Sequence, residues 1–364
     1  MGINNRLKIA KMVLGGYISS LYPQKVAESI NTDAIDFVVT WVDGTDSEWN
    51  KLRKMYLHEN EIVPSGNGVG RYRDWDSFRY WFRAVEKYAP WVRYIYLVTW
   101  GHVPKWLNTL CPKLKIVKHT DFIPEKFLPT FNSNSIELNM FRIPGLSENF
   151  VYYNDDTFLC RSVVPEEFFV DKKPKHTAIA IPYINRDNEI PYHLFFNTYG
   201  LVNKKNNIAE CIEKEPSKWF SHLYKSGIKY NYMAWKDDGL SSIYFTHMGV
   251  PFCKSTMEKT WKKYEKECEE TCLHKFRDIH QITHQIFSIE DILNGNFEPS
   301  ISDWGKCIPI DSPQQIIDAY KSRKTKMICL CDRDNLSKEE IHAINEALRD
   351  SFEQFFPEKS VFEN

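Results

Sequence analysis

A chain of 364 residues with 43% apolar and 15% aromatic side chains has the means to bury a large core, and disorder is excluded. Its 47 basic and 48 acidic side chains leave a formal net charge of −1, so no global field draws it to nucleic acid and any polyanion site has to be local. Nine scattered cysteines, an odd number, read as reduced thiols rather than a disulfide framework. With no run of about 18 apolar residues and no secretory h-region at its start, the sequence points to a cytosolic protein.

Residues 1–30 form a basic N-terminal helix in which Arg6, Lys8, Lys11 and Lys25 surround Ile9, Met12, Val13, Leu14, Tyr17 and Leu21. That pattern suits a helix capping the domain first, and peripheral association with an anionic membrane surface second. Ile35-Asp36-Phe37-Val38-Val39-Thr40-Trp41 then reads as a buried strand ending at Val42-Asp43-Gly44-Thr45-Asp46. Residues 46–58 carry Trp49, Leu52, Met55 and Tyr56 at helical spacing, and Ser65-Gly66-Asn67-Gly68-Val69-Gly70 forms a flexible link. A helix over 75–88, strands at 94–99 and 114–117, a helix over 133–142 and a strand at 150–153 follow. Residues 170–250 are mixed, with an Asn/Lys-rich loop near 203–207; 255–294 are helical and polar, and a strand at 325–332 precedes a C-terminal helix. The alternation predicts an α/β fold with a doubly wound, mostly parallel sheet, a helical insertion and a C-terminal helix. In such sheets ligands bind beyond the carboxyl ends of the strands, where the acidic loops after Trp41 and Tyr153 both fall.

Asn154-Asp155-Asp156 sets two adjacent carboxylates at a strand end, where hard oxygens can hold Mg²⁺ against a diphosphate or one carboxylate can take a hydroxyl proton. An Asx turn is the structural alternative. Asp43-Gly44 permits the same dual reading, as a ligand contact or an ordinary turn. His119-Thr120-Asp121, Glu137 and His247 are further polar residues in apolar settings, and Arg277 has the guanidinium to grip a phosphate bidentately. Cys268, Cys272, His280 and His284 form a C-x3-C-x7-H-x3-H string with four zinc-type donors, although its pairs are close together for a finger. Neither a Gly-x-Ser-x-Gly elbow nor a Walker loop is present, which disfavours an α/β hydrolase and a P-loop kinase.

The string from Asp36 to Asp46 resembles the opening motif of the Stealth family, which includes bacterial capsule polymerases and the lysosomal-enzyme N-acetylglucosamine-1-phosphotransferase. A longer block resembles the same family, from Arg71-Tyr72-Arg73-Asp74 through Leu128-Pro129-Thr130-Phe131-Asn132-Ser133 and Ile136-Glu137 to Tyr153-Asn154-Asp155-Asp156. A third comprises His247-Met248-Gly249-Val250-Pro251 with Phe276-Arg277-Asp278, and a fourth Cys331-Asp332 with Phe356 to Glu363. The blocks, near 35–46, 71–158, 245–280 and 328–363, mark 31–364 as one Stealth-type catalytic domain.

The resemblance implies a nucleotide-sugar transferase-like enzyme that moves a sugar-1-phosphate from a UDP-sugar onto a hydroxyl of an oligo- or polysaccharide acceptor, releasing UMP, in capsule or exopolysaccharide synthesis. The alternative is a conventional glycosyltransferase that releases UDP. The resemblance further implies Asp155, Asp156, His247 and Arg277 as catalytic residues and Asp43, Gly44, Arg73 and Asn154 as donor contacts. It gives Asp156 and Asp332 as ligands of Mg²⁺ or Mn²⁺. The sequence departs from the family's pattern at Cys331, where Asn is usual, and at Trp100, where a smaller polar residue is common.

Overall fold

The computed structural model describes residues 3–22, 34–57, 68–183, 190–301, 305–333 and 335–364. Its strands are β1 (Ile35–Thr40), β2 (Ile95–Thr99), β3 (Leu114–Lys118), β4 (Asn149–Asn154), β5 (Thr157–Leu159), β6 (Phe169–Val170), β7 (Lys173–His176), β8 (Val250–Cys253), β9 (Glu298–Pro299), β10 (Gly305–Pro309) and β11 (Met327–Cys331). The main sheet has the order β3-β2-β1-β4-β8. Its first four strands are parallel, and β8 runs antiparallel to β4. The mostly parallel, doubly wound reading holds, and the strand order reverses between β1 and β4. A second sheet, β10-β11-β5, abuts the end of β4, and β6-β7-β9 form a third.

Both faces of the main sheet are covered, which is why its strands are continuous apolar runs rather than alternating ones. Phe37 and Val39 of β1 and Val151 and Tyr153 of β4 enter one core, with Trp81 and Phe352. Val38, Phe150 and Tyr152 enter the other, with Trp219, Trp261 and Phe287. The first core is roofed by the helices Phe78–Tyr88 and Lys338–Glu353, and the second by Ile190–Lys205, Lys254–Lys263 and Gln285–Leu293. The expected loop near 203–207 shrinks, because Lys204 and Lys205 complete the helix Ile190–Lys205 and Asn207 caps the next one through the Glu210 amide. Residues 65–67 of the expected flexible link lie outside the described residues; Val69–Tyr72 is a 3₁₀ turn.

Two polar clamps hold the layers in register. Asp36, fully buried on β1, accepts from Arg93 Nε at 2.8 Å and Nη2 at 2.5 Å, and from the amides of Ser147 at 2.8 Å and Tyr94 at 3.2 Å. Arg83 donates to both carboxylate oxygens of Glu363 at 2.7 and 2.6 Å and to the Phe356 carbonyl at 2.7 Å. The second clamp closes the C-terminal segment over the helix Phe78–Tyr88.

The helix Ile3–Leu21 docks on the rest of the chain: Gly16 lies against the Pro216 carbonyl, and Ser20 Oγ accepts from the His222 amide at 2.9 Å. Among the described residues, no helix is long and apolar enough to cross a membrane.

Glu363→Ala removes both carboxylate acceptors of the buried Arg83 guanidinium, leaving it only the Phe356 carbonyl among the described residues, and is expected to cost about 3 kcal/mol, measured by urea unfolding. A loss below about 1 kcal/mol, the scale of a surface pair, would show that the clamp does not hold the segment.

Candidate active site

The carboxyl ends of β1 and β4 open into a cavity of about 760 Å³, placed where ligands bind in doubly wound sheets, at the reversal of strand order. Asn154, Asp155, Asp156, His247, Arg277, Arg73 and Asp332 all line it. Five stretches far apart in sequence therefore meet here.

Each stretch is delivered by an identifiable contact. Asn154 ends β4 opposite Thr40 of β1, and the Asp156 carbonyl accepts the Leu330 amide at 2.9 Å, tying the acidic turn to β11. His247 is placed by the chain entering β8, where Gly249 is required because a Cβ would come within 2.6 Å of the Tyr153 ring. Arg277 is brought in by Phe276, which stacks on Phe131 at 5.2 Å. Gln281 reinforces this by accepting from Asn132 and Asn134, both at 3.1 Å. Arg277 Nη2 donates to Ser133 Oγ at 2.5 Å.

A buried relay stands behind His247. Asn154 Nδ2 donates to His247 Nε2 at 2.5 Å, and Asn154 Oδ1 is 2.6 Å from the Tyr152 hydroxyl. That hydroxyl also lies 3.1 Å from Glu137 Oε1, whose Oε2 is 2.6 Å from His284 Nδ1. Burial by itself raises the Glu137 carboxyl, but His284, Arg277 and the Tyr152 hydroxyl outweigh it and hold the group at about 2. The relay thus ends in a fixed negative charge.

The other side of the cavity is acidic. Burial pushes Asp155 well above the usual carboxylate range, and Asp156 and Asp74 push it further. Asp74, raised mainly by burial to about 6, accepts the Asp76 amide at 3.1 Å. Like charges held this close in low dielectric favour either a shared proton or a cation. Asp156 also has ligand atoms within 4.8 Å of those of His247 and Cys329.

Several expectations are corrected. Asp43 and Gly44 do not line the cavity. Asp43 Oδ1 accepts from the Thr45 amide at 2.8 Å and the Thr45 hydroxyl at 2.6 Å, an Asx-type turn. Gly44 is needed because the Tyr72 carbonyl occupies the space of a Cβ, so its reason is packing. Asp332 is no free metal ligand: Arg73 donates to it at 2.8 and 3.0 Å, the Trp75 indole at 3.0 Å and the Arg333 amide at 2.6 Å. The same contact turns Arg73 toward β11 as a brace.

The zinc string also comes apart. Cys268 and Cys272 are buried in the core, Cys272 accepting from Asn139 at 3.4 Å. His280 is exposed beside Asp278, and His284 belongs to the Glu137 relay. His119 lines the cavity floor, lowered by burial to about 4 and hence neutral.

Sequence reasoning did not assign Asp74, Tyr152 or His284 to the site. Asp74 stood inside a matched block as one charge among several, and Tyr152 looked like any strand aromatic. Only the fold brings His284 to Glu137.

Profiles of the family match in two places: Stealth protein CR1, conserved region 1, over residues 33–61, and Stealth protein CR2, conserved region 2, over residues 71–177. A capsular polysaccharide phosphotransferase, WcwK of Streptococcus pneumoniae, is 39% identical over 92% of this chain and 99% of its own length. The exopolysaccharide phosphotransferase cps2G of Lactiplantibacillus plantarum is 36% identical over 90% and 96%. The receptor polysaccharide phosphotransferase WefC of Streptococcus gordonii is 34% identical over 91% and 99%. Among solved structures, the galactosyltransferase LgtC with donor and acceptor sugar analogues overlays on 86% of the chain at 8% identity with a TM-score of 0.37, too low to bear on function. With such relatives matching nine tenths of its length, the chain belongs to the Stealth family and is a phosphotransferase.

Proposed function

We propose that the enzyme transfers a sugar-1-phosphate from a UDP-sugar to a hydroxyl of an oligo- or polysaccharide acceptor, releasing UMP, in capsule or exopolysaccharide synthesis. The observation that carries this reading is the pairing, in one cavity, of an acidic cluster with Arg277 and a relay-backed His247. A phosphoryl group passing between two oxygens asks for charge neutralisation and alignment more than for covalent help. The acceptor O–H breaks as its oxygen bonds to the sugar-linked phosphorus, and the bond from that phosphorus to the bridging oxygen of UMP breaks. His247 takes the proton on Nε2 as the Asn154 amide N–H gives up that lone pair.

Asn154 holds the imidazole through Nε2, and the Glu137 carboxylate at the far end of the relay favours a positive charge on the ring once the proton arrives. Arg277 faces the diphosphate, where a guanidinium meets two oxygens at once. The carboxylates fit a hard cation: raised by burial first and then by neighbouring carboxylates, Asp155 and Asp74 are relieved by a positive charge among them. Asp155 and Asp156 are the residues to hold Mg²⁺ or Mn²⁺, which when bound offsets charge on the diphosphate. Trp41, Trp75 and Phe131 supply apolar walls.

We further propose that the helix Ile3–Leu21 rests on an anionic membrane surface. Leu14, Tyr17, Ile18 and Leu21 are exposed at one helical face, with the exposed Tyr22 just past its end, beside the exposed Lys11, and such a face gains energy in a lipid headgroup layer. Cosedimentation with vesicles containing phosphatidylglycerol is expected for the wild type and lost in Leu14→Ser/Ile18→Ser. Equal binding by the two would remove the helix from that role.

The transfer itself is tested by phosphorus NMR after incubation with a panel of UDP-sugars and glycan acceptors. UMP and a phosphodiester are expected, with turnover abolished by excess chelator and lowered roughly 10²- to 10⁴-fold in His247→Gln. UDP with no phosphodiester would sink the reading in favour of a glycosyltransferase.

Asp74 offers a pH test. Because its folded carboxyl titrates near 6 rather than near 4, folding favours the protonated form, and the group costs stability as pH rises from about 4 through 6. Asp74→Asn is therefore expected to melt higher than the wild type at pH 7 without added metal, with the difference vanishing below about pH 4. A lower melting temperature at pH 7 would contradict the crowding of charge.

A further inference from the structure

β10 and β11 pair in parallel with Cys307 opposite Cys329, and Cys331, two residues on, falls on the same face of its strand. Their three Sγ atoms lie within 4.8 Å of one another, and no disulfide joins them. A tetrahedral ion with Zn–S bonds of about 2.3 Å spaces its sulfurs by roughly 3.8 Å, so modest side-chain rotations close the set. Cys307 and Cys331 are exposed and Cys329 is buried, which gives an ion a way in and an anchor behind it. Neither exposed thiol is needed to fill a core.

The cluster borders the cavity. Cys329 and Cys331 line it, Cys329 has its sulfur within 4.8 Å of ligand atoms of Asp156 and His247, and Leu330 between them donates to the Asp156 carbonyl. We propose that Cys307, Cys329 and Cys331 form a binding site for one soft divalent cation of the zinc type, with its fourth position open toward the cavity.

Sulfur ligands select such an ion over Mg²⁺, while the oxygens of Asp74, Asp155 and Asp156 have the opposite preference. Binding releases the three S–H protons to solvent and leaves three thiolates on the metal. The bound ion fixes the ends of β10 and β11, and with them the backbone contact that positions Asp156. This assignment stands apart from the identity of the transferred group and needs no turnover for its test.

The full chain, reduced with a phosphine and stripped of metal, is titrated with Cd²⁺ while the ultraviolet sulfur-to-cadmium charge-transfer band is followed. The band is expected to saturate at one cadmium per chain, to be reversed by Zn²⁺ and not by excess Mg²⁺, and to persist in Cys111→Ser. Cys307→Ser/Cys331→Ser is expected to lose it while keeping the wild-type circular dichroism. If that double variant does not fold, Cys307→Ser alone is expected to weaken the band. No band in the wild type, an undiminished band in these variants, or reversal by Mg²⁺ would each overturn the site.

Discussion

The structure depends on one pairing: six residues of β1 against six of β4, in parallel register from Ile35 opposite Asn149 to Thr40 opposite Asn154. Side chains alternate across the sheet with a period of two, so a slip of one residue would exchange Phe37 and Val39 with Val38 between two differently shaped cores. It would also put Asp155 where Asn154 now reaches His247. The pairing is fixed at its start by Asp36, which holds Arg93 and the Ser147 amide together. At that end the sheet is clamped, and at the other it opens.

Opening at the carboxyl ends has an electrostatic cost that the fold carries for function. Asp74, Asp155 and Asp156 crowd one side of the cavity, and burial beside like charges disfavours the ionised forms of Asp155 and Asp74 until something positive arrives. The basic groups near them are held from different directions: Arg277 by Ser133 and Arg73 by Asp332. This separation keeps the acidic cluster from collapsing into simple ion pairs. It is the arrangement expected where charge must be neutralised in a reaction rather than in the resting fold.

How much of this was legible in the sequence varied with the range of the interaction. β1, β2 and β4 announced themselves because a strand buried on both faces is a continuous apolar run, and Asn154-Asp155-Asp156 followed directly from the end of one. β8 was missed: at four residues, beginning with Val250-Pro251, it has too little periodicity to separate it from loop. The role of Asp43 was misread because an Asx turn uses the same residue types as a ligand loop. Asp46 accepts the Trp49 amide and caps the helix Ser47–Tyr56. Asp332 looked like a ligand until the fold supplied Arg73, 259 residues away.

The relay shows why motif residues need not share one reason for being where they are. Glu137 lies on a short helix at the cavity wall and Tyr152 in mid-strand behind it; their contribution is the orientation and charge they impose through Asn154. Glu363 belongs to an equally distinctive stretch of sequence, yet it binds Arg83 at the back of the first core. One side chain sets the chemistry of the site and the other keeps a wall of the domain closed. Their spacing along the chain gives no hint of which is which, whereas burial and partner identity do: a carboxylate paired to a guanidinium beneath the C-terminus is satisfied. A carboxylate that ends a hydrogen-bonded chain leading to an exposed imidazole instead has its charge directed into the cavity.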